Sequence, residues 1–202
     1  MKKSIIICVA FSMLLVCAGS SSAAPIFFDD FETENGGVGT SNYTTFANWT
    51  VTVGSVDLLG GGYFDSLAGP GNMCLDMDGS TRAAGTIVST PLLLNAGVYV
   101  LSFDAAGSQR WNPSTDTMIV SVGGLFSAPL TLADNVPFTT FTAPINVGAP
   151  TSASISFAHA GGDNVGLLLD NVSLDVIPAP GAILLGGIGA GLVGWLRRRR
   201  TL

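Results

Sequence analysis

The chain has 202 residues, with eight Lys or Arg, fourteen Asp or Glu, and a formal net charge of −6 at pH 7. Six of the basic residues sit at the two ends (Lys2, Lys3, Arg197, Arg198, Arg199 and Arg200), so the body holds only Arg82 and Arg110 against fourteen carboxylates, a net −12. A body of that sign repels phosphate backbones and excludes nucleic acid as a partner, and a single histidine leaves too few His and Cys ligands for a zinc centre.

Residues 1–24 have the layout of a secretory signal peptide: Lys2 and Lys3, an apolar run over 5–16, then small residues from Ala18 to Ala24. Cys8 and Cys17 fall inside it, so Cys74 is left alone in the body and an intramolecular disulfide is excluded. Cys74 reads as a small buried hydrophobe.

Residues 25–176 form one unit of short β-prone runs separated by Gly, Pro, Asn and Asp, long enough for a sizeable core. Over 98–105 the period of two places Tyr99, Leu101, Phe103 and Ala105 on one face; Met118, Val120 and Val122 repeat the pattern, as do Ala153, Ile155 and Phe157. No stretch of the body sustains three turns of helical periodicity. Eight or nine strands at this spacing predict an all-β fold, a jelly-roll β-sandwich, flanked by an N-terminal signal helix and one C-terminal transmembrane helix. In the last strand Leu167 and Leu169 share one parity while Val172, Leu174 and Val176 share the other. A β-bulge near Asp170 and Asn171 would bring all five to the core; a strand buried on both faces is the alternative.

The candidates for chemistry are few. His159 stands at a strand end before Gly161 and Gly162 and reads as a turn or edge residue. No Gly-x-Ser-x-Gly turn accompanies it, and the glycine triplet 60–62 lacks the Lys and Ser or Thr of a phosphate loop. Two carboxylates could serve a glycosidase, but no catalytic constellation stands out, and the chain reads as a non-enzyme. The loop Gly107-Ser-Gln-Arg-Trp-Asn-Pro-Ser-Thr115 places Arg110 and Trp111 between two strands. Trp111 is open to two readings, an edge cover for the core or a platform for a sugar ring; Trp49, before a strand, reads as core, and Tyr63 falls in a second loop.

Residues 177–202 begin at Pro178-Ala179-Pro180, continue as an uncharged glycine-rich run and end in the arginines 197–200. The run over 181–196 predicts a helix of about 24 Å at 1.5 Å per residue, near the minimum for crossing a bilayer, with Trp195 at the interface and the arginines in the cytoplasm. This combination resembles the sorting signal of PEP-CTERM proteins, the substrates of bacterial exosortases. The resemblance implies export to the cell surface or extracellular matrix through an inner-membrane-anchored precursor, with the membrane and an exosortase-type processing protease as partners. The family's Pro-Glu-Pro stands here as Pro178, Ala179 and Pro180: the extended geometry is kept and the carboxylate is lost.

The body in turn is similar to galactose-binding-like jelly-roll domains and carbohydrate-binding modules. The matching segments are Phe28-Asp-Asp-Phe-Glu32, Trp49 with Gly54-Ser-Val-Asp57, Leu75-Asp-Met-Asp-Gly79, Ala96-Gly-Val-Tyr-Val-Leu-Ser-Phe-Asp104 and Leu167-Leu-Leu-Asp-Asn-Val-Ser-Leu174. That resemblance implies a structural Ca²⁺ held by Glu32 and Asp170, with Asp29, Asp30, Asp76 and Asp78 as further donors. It also implies extracellular polysaccharide as a ligand. Three functions follow: a sorted, non-catalytic surface or matrix protein as the main expectation, a carbohydrate-binding module as the alternative, and a small glycoside hydrolase as a remote one.

Overall fold

The computed structural model describes residues 25–68, 72–110, 114–177 and 180–199. The expected signal peptide, Trp111, Pro178, Ala179 and Arg200 lie outside the described residues. The body is a two-layer β-sandwich of short strands: β1 (Phe27–Asp29), β2 (Trp49–Val53), β3 (Asp57–Leu59), β4 (Cys74–Asp76), β5 (Thr86–Ser89), β6 (Leu92–Leu94), β7 (Gly97–Ala106), β8 (Thr115–Val122), β9 (Phe126–Ala133), β10 (Thr139–Val147), β11 (Thr151–Ala153), β12 (Ile155–His159) and β13 (Leu168–Ile177). One sheet runs β10-β7-β13-β4-β3, with β1 also on β13; the other runs β2-β5-β12-β8-β9, and β11 pairs with β6.

The period-two pattern fixes the core. Tyr99, Leu101, Phe103 and Ala105 of β7 turn inward, as do Met118, Val120 and Val122 of β8 and Ile155 and Phe157 of β12. Trp49 is buried among Phe27, Phe31 and Phe157, as its place before a strand predicts, and its indole N–H donates to Asp29 Oδ2 at 2.9 Å. The expected strand over 153–157 is broken at Ser154. Ala153 belongs to the β11–β6 pair, whereas Ile155 opens β12 between β5 and β8. Here the Ile155 N–H leaves the ladder and donates to Ser89 Oγ (2.9 Å), which is how one run changes sheets and adds one strand to the expected eight or nine.

The bulge in β13 is present. Its register against β7 shifts between Asp170 and Ser173, and Asn171 carries the left-handed φ of 49° that absorbs the extra residue. Leu167, Leu169, Val172 and Leu174 are thereby all fully buried; Val176 is not, at 36% exposed. The shift also partitions one edge of β13. β4 pairs with Leu168 and Leu169, and β1 with Val172 to Leu174, on the two sides of the bulge.

A second, smaller cluster lies apart from the main core: Leu59, Ala68, Cys74, Ala106 and Leu168, covered by Tyr63 and Leu67. It seats the helical turn Asp65–Ala68 on the sheet. Cys74 is fully buried, and burial together with the Asp170, Asp76 and Glu32 carboxylates pushes its thiol pKa up, leaving it the small hydrophobe that was expected. A C-terminal helix spans Pro180–Arg199. Among the described residues no helix is long and apolar enough to cross a membrane, so the span expected over 181–196 is not found there; the side chains of 181–185 lie outside the described ones. From Gly186 to Arg198 every side chain is exposed.

Candidate functional site

The loop that follows β7 is built to aim one arginine. At Gly107 a Cβ would overlap the Ala133 and Asp134 carbonyls, so only glycine lets the loop lie this close to the end of β9. Gln109, with φ +57°, then staples it there: its amide Nε2 donates to the carbonyls of Gly107, Asp134 and Val136 at 3.3, 3.1 and 2.6 Å. Arg110 is thereby directed across the end of the sandwich. Its Nη2 meets Asp76 Oδ2 at 2.5 Å, its Nη1 donates to the Asn164 carbonyl at 2.7 Å, and its guanidinium lies 5.3 Å from the Phe64 ring centre.

Asp76, the last residue of β4, is fully buried. Its Oδ1 accepts the Asp78 N–H (3.0 Å) and the Gly166 N–H (3.1 Å). Burial pushes its pKa up to about 7; the Asp78 N–H and the Arg110 charge oppose that rise, and the Asp57 and Asp78 carboxylates add to it. Phe64 is half exposed, edge-on to Tyr63 with centroids 4.8 Å apart. Ser80 sits within 3.5 Å of the Tyr63 hydroxyl, itself fixed by Asp57 through Oγ (2.6 Å) and N–H (3.0 Å).

Phe64, Gln109 and Asn164 all have left-handed backbones, with φ of +51°, +57° and +68°. For non-glycine residues this costs about 1–3 kcal/mol each and persists only where the surroundings over-determine it. Three such residues meet around Arg110. The result is a rigid end surface carrying an exposed aromatic ring backed by a cation and rimmed by hydroxyl and carbonyl groups, a set that suits a neutral polyhydroxylated ligand.

Beneath this surface lies a second buried pair. Asp78 is fully buried; its Oδ2 accepts the N–H groups of Gly162 (2.5 Å) and Asp163 (3.0 Å), and its Oδ1 has no partner. His159 ends β12 buried rather than at an exposed edge, accepting the Leu167 N–H at Nε2 (3.2 Å) with Nδ1 unpartnered. Burial lowers its pKa, against the attraction of Asp78 and Asp163.

Of the sequence candidates, Arg110 stands at this surface, held by bonds within the chain, and Trp111 lies outside the described residues. Glu32 and Asp170 come together elsewhere. Glu32 Oε1 accepts the Met73 N–H (2.8 Å), and Asp170, buried at the bulge, accepts the Asn171 N–H at Oδ1 (2.6 Å). Burial raises Asp170 to about 7, and the carboxylates of Glu32, Asp104 and Asp30 raise it further against the Asn171 N–H. Crowded carboxylates without a cation suit a hard ion in charge, and Glu32 and Asp170 could hold one. Among the described residues, though, no three His, Cys, Asp or Glu side chains are placed to do so, so backbone carbonyls would have to complete the shell. Of the further donors expected, Asp30 stays near, acting on Asp170 and accepting the Glu32 N–H; Asp29 is engaged by Trp49, Asn48 and Phe31, and Asp76 and Asp78 by the loop 160–167. Phe64, Asp76, Asp78 and His159 were not singled out for the roles they hold; the one signal was the Asp-Met-Asp-Gly turn at 76–79, whose carboxylates face backbone amides.

No family model matches the chain, and no curated protein matches it. Among solved structures it is similar to the CBM22-1 xylan-binding domain of Xyn10C from Paenibacillus barcinonensis, at 14% identity over 80% of this chain and 99% of that one, TM-score 0.48. It is also similar to TmCBM61 in complex with β-1,4-galactotriose (17% identity, 68% and 100% covered, TM-score 0.41). A third is a carbohydrate-binding module of lichenase 5A from Cellvibrio mixtus, seen with cellotriose (12% identity, 76% and 99% covered, TM-score 0.38). All three fall below a TM-score of 0.5, too distant to carry function across.

Proposed function

We propose that the sandwich is a non-catalytic carbohydrate-binding module of jelly-roll type, which binds a neutral glycan at the Tyr63, Phe64 and Arg110 surface with the Trp111 loop beside it in sequence. The observation that carries this reading is the half-exposed Phe64 ring held in a left-handed backbone against Arg110. Backbone strain of this kind clusters at binding sites, and a half-exposed aromatic ring offers a face to a ligand. Binding of neutral oligosaccharides, screened on an array and measured by calorimetry, tests it. Phe64→Ala and Trp111→Ala should each weaken binding at least about tenfold, in the range of a lost aromatic hot spot. Unchanged affinity in both variants overturns the site, and release of reducing sugar by the unmodified chain would favour the hydrolase instead. A structural Ca²⁺ on Glu32 and Asp170 belongs to the same reading; a melting temperature indifferent to chelator would remove it.

The second reading, a surface protein sorted by its tail, is favoured by the C-terminal helix. Ile188, Leu192, Val193, Trp195 and Leu196 are each about half exposed, ahead of Arg197 and Arg198. A bilayer surface would take such a face, although among the described residues no helix is long and apolar enough to cross one. Export, anchoring and cleavage by an exosortase-type protease after Pro178-Ala179-Pro180 are compatible with glycan binding, because a matrix polysaccharide would be the ligand. Mass spectrometry of the mature protein decides it: retention of the arginines 197–200 on every surface copy rules out processing.

A further inference from the structure

The loop 160–167 between β12 and β13 is fastened from beneath by buried side chains. Gly162 and Asp163 donate to Asp78, Gly166 to Asp76 and Leu167 to His159, while the Asn164 carbonyl accepts Arg110 Nη1. The Leu167 carbonyl also takes the Met77 N–H (3.0 Å). Of these fastenings, the one on His159 rests on a single lone pair, which one proton removes, whereas a protonated carboxyl group keeps acceptor oxygen. Nε2 accepts an amide hydrogen only while it is unprotonated, which assigns the neutral ring its hydrogen at Nδ1. Once protonated, Nε2–H faces Leu167 N–H, two donors toward one another in a buried place.

A resting place for the charged ring lies close by. A Cβ built on Gly161 would sit 2.5 Å from Asp78 Oδ2 and 2.8 Å from His159 Nδ1, so the carboxylate and the ring crowd the same glycine. Asp78 Oδ1 is buried and has no hydrogen-bond partner among the described residues. The charged groups that act on His159 are Asp78, from the segment after β4, and Asp163, from the loop itself. Asp116 on β8 also feels the charge of both of these. Two arrangements are therefore available: a neutral ring holding Leu167, and an imidazolium turned to Asp78 with the Leu167 amide released.

We propose that His159 is an acid-released latch on the glycan-binding surface: a proton taken up at Nε2 frees the Leu167 amide, relaxes the loop 160–167 and draws the Asn164 carbonyl away from Arg110, so that the aromatic platform loses its backing as pH falls. The link to glycan affinity rests on the function proposed above; the latch itself does not. Desolvation of the ring opposes the charge and keeps the latch closed at neutral pH.

Asp76 also takes up a proton in this range and loosens Arg110, so the test must separate the two. In His159→Gln the side-chain amide oxygen can take the place of Nε2 as acceptor and cannot titrate. Hydrogen exchange of the full chain, corrected for intrinsic rates, is compared at pH 7.5 and 5.0, alongside oligosaccharide affinity. The unmodified chain should lose at least about tenfold of the protection at the Leu167 amide at pH 5.0, the scale of one buried amide left without its acceptor. The Gln variant should keep it, and affinity should follow the same pattern. Unchanged protection in the unmodified chain overturns the latch, and so does equal loss in the Gln variant, which would place the release on Asp76. If exchange behaves as expected but no oligosaccharide binds at either pH, the latch stands and the glycan reading falls. Should the variant fail to fold, an NMR titration of the unmodified chain serves: the His159 ring and the Leu167 amide should share one midpoint, and separate midpoints reject the proposal.

Discussion

Replacing Arg110 by alanine isolates the ion pair that organises the end of the sandwich. The substitution removes the 2.5 Å contact to Asp76 Oδ2, the bond to the Asn164 carbonyl and the cover over Phe64. Breaking a buried pair by removing one partner costs about 3–5 kcal/mol, because the other charge is stranded. The Arg110 side chain is 20% exposed, and Asp76 keeps two amide donors, so the cost here should be about 2–3 kcal/mol at pH 8. The pH dependence supplies the sharper check. Burial already lifts Asp76 to about 7 from 3.8, so the folded chain takes up this proton more readily than the unfolded one. Its ionisation therefore subtracts stability as pH rises from about 4 to 7, by up to about 1.4 kcal/mol per pH unit. At pH 5 the stranded group in Arg110→Ala is neutral, and most of the penalty should vanish. Urea unfolding of both proteins at pH 5 and 8 measures the difference. An equal loss at the two pH values, or a loss under about 1 kcal/mol at pH 8, would refute the view that a stranded carboxylate sets the cost.

Asp170→Asn should stabilise the calcium-free chain at pH 8 by about 1–2 kcal/mol and change little near pH 4, since the carboxyl it replaces is buried and raised to about 7; thermal melts at the two pH values check this. If Ca²⁺ occupies Glu32 and Asp170, the same variant should lose any calcium-dependent rise in melting temperature. Trp49→Phe strips Asp29 of its indole donor at 2.9 Å and leaves a gap beside Phe27 and Phe157, costing about 1–3 kcal/mol in urea unfolding. Gly107→Ala forces a methyl group into the Ala133 and Asp134 carbonyls, and should cost about 1–3 kcal/mol and weaken glycan binding by moving Arg110.

The sheet faces were legible because burial on one side imprints a period of two. Tyr99, Leu101, Phe103 and Ala105 alternate, and each is inward. The bulge was legible for the same reason, since a parity break inside one apolar run has few other solutions. Val176 escaped because the parity that places it continues past the end of the core. The loop-end surface was harder to read. Arg110 could be named as one of two cations in an acidic body, but its partner Asp76 is 34 positions away, and no periodicity links them. His159 next to two glycines looks like a turn residue; what buries it is Leu167 and Asp78, which only the folded loop brings near.

The buried ionisable groups also pull in opposite directions, and that bears on how the latch could open without unfolding the domain. Acid lowers the stability contributed by His159, because its folded pKa lies below the 6.5 of the free side chain and the unfolded state takes the proton first. Asp76 and Asp170 act in the opposite sense over the same range, as their folded values lie above 3.8. Between pH 7 and 5 the two carboxyl groups gain more than one imidazole loses. Global stability should therefore hold or rise while the Leu167 amide, which depends on His159 alone, loses its acceptor. A urea midpoint that falls in parallel with Leu167 protection would mean that acid simply unfolds the sandwich; a level or rising midpoint with falling protection separates a local release from global unfolding.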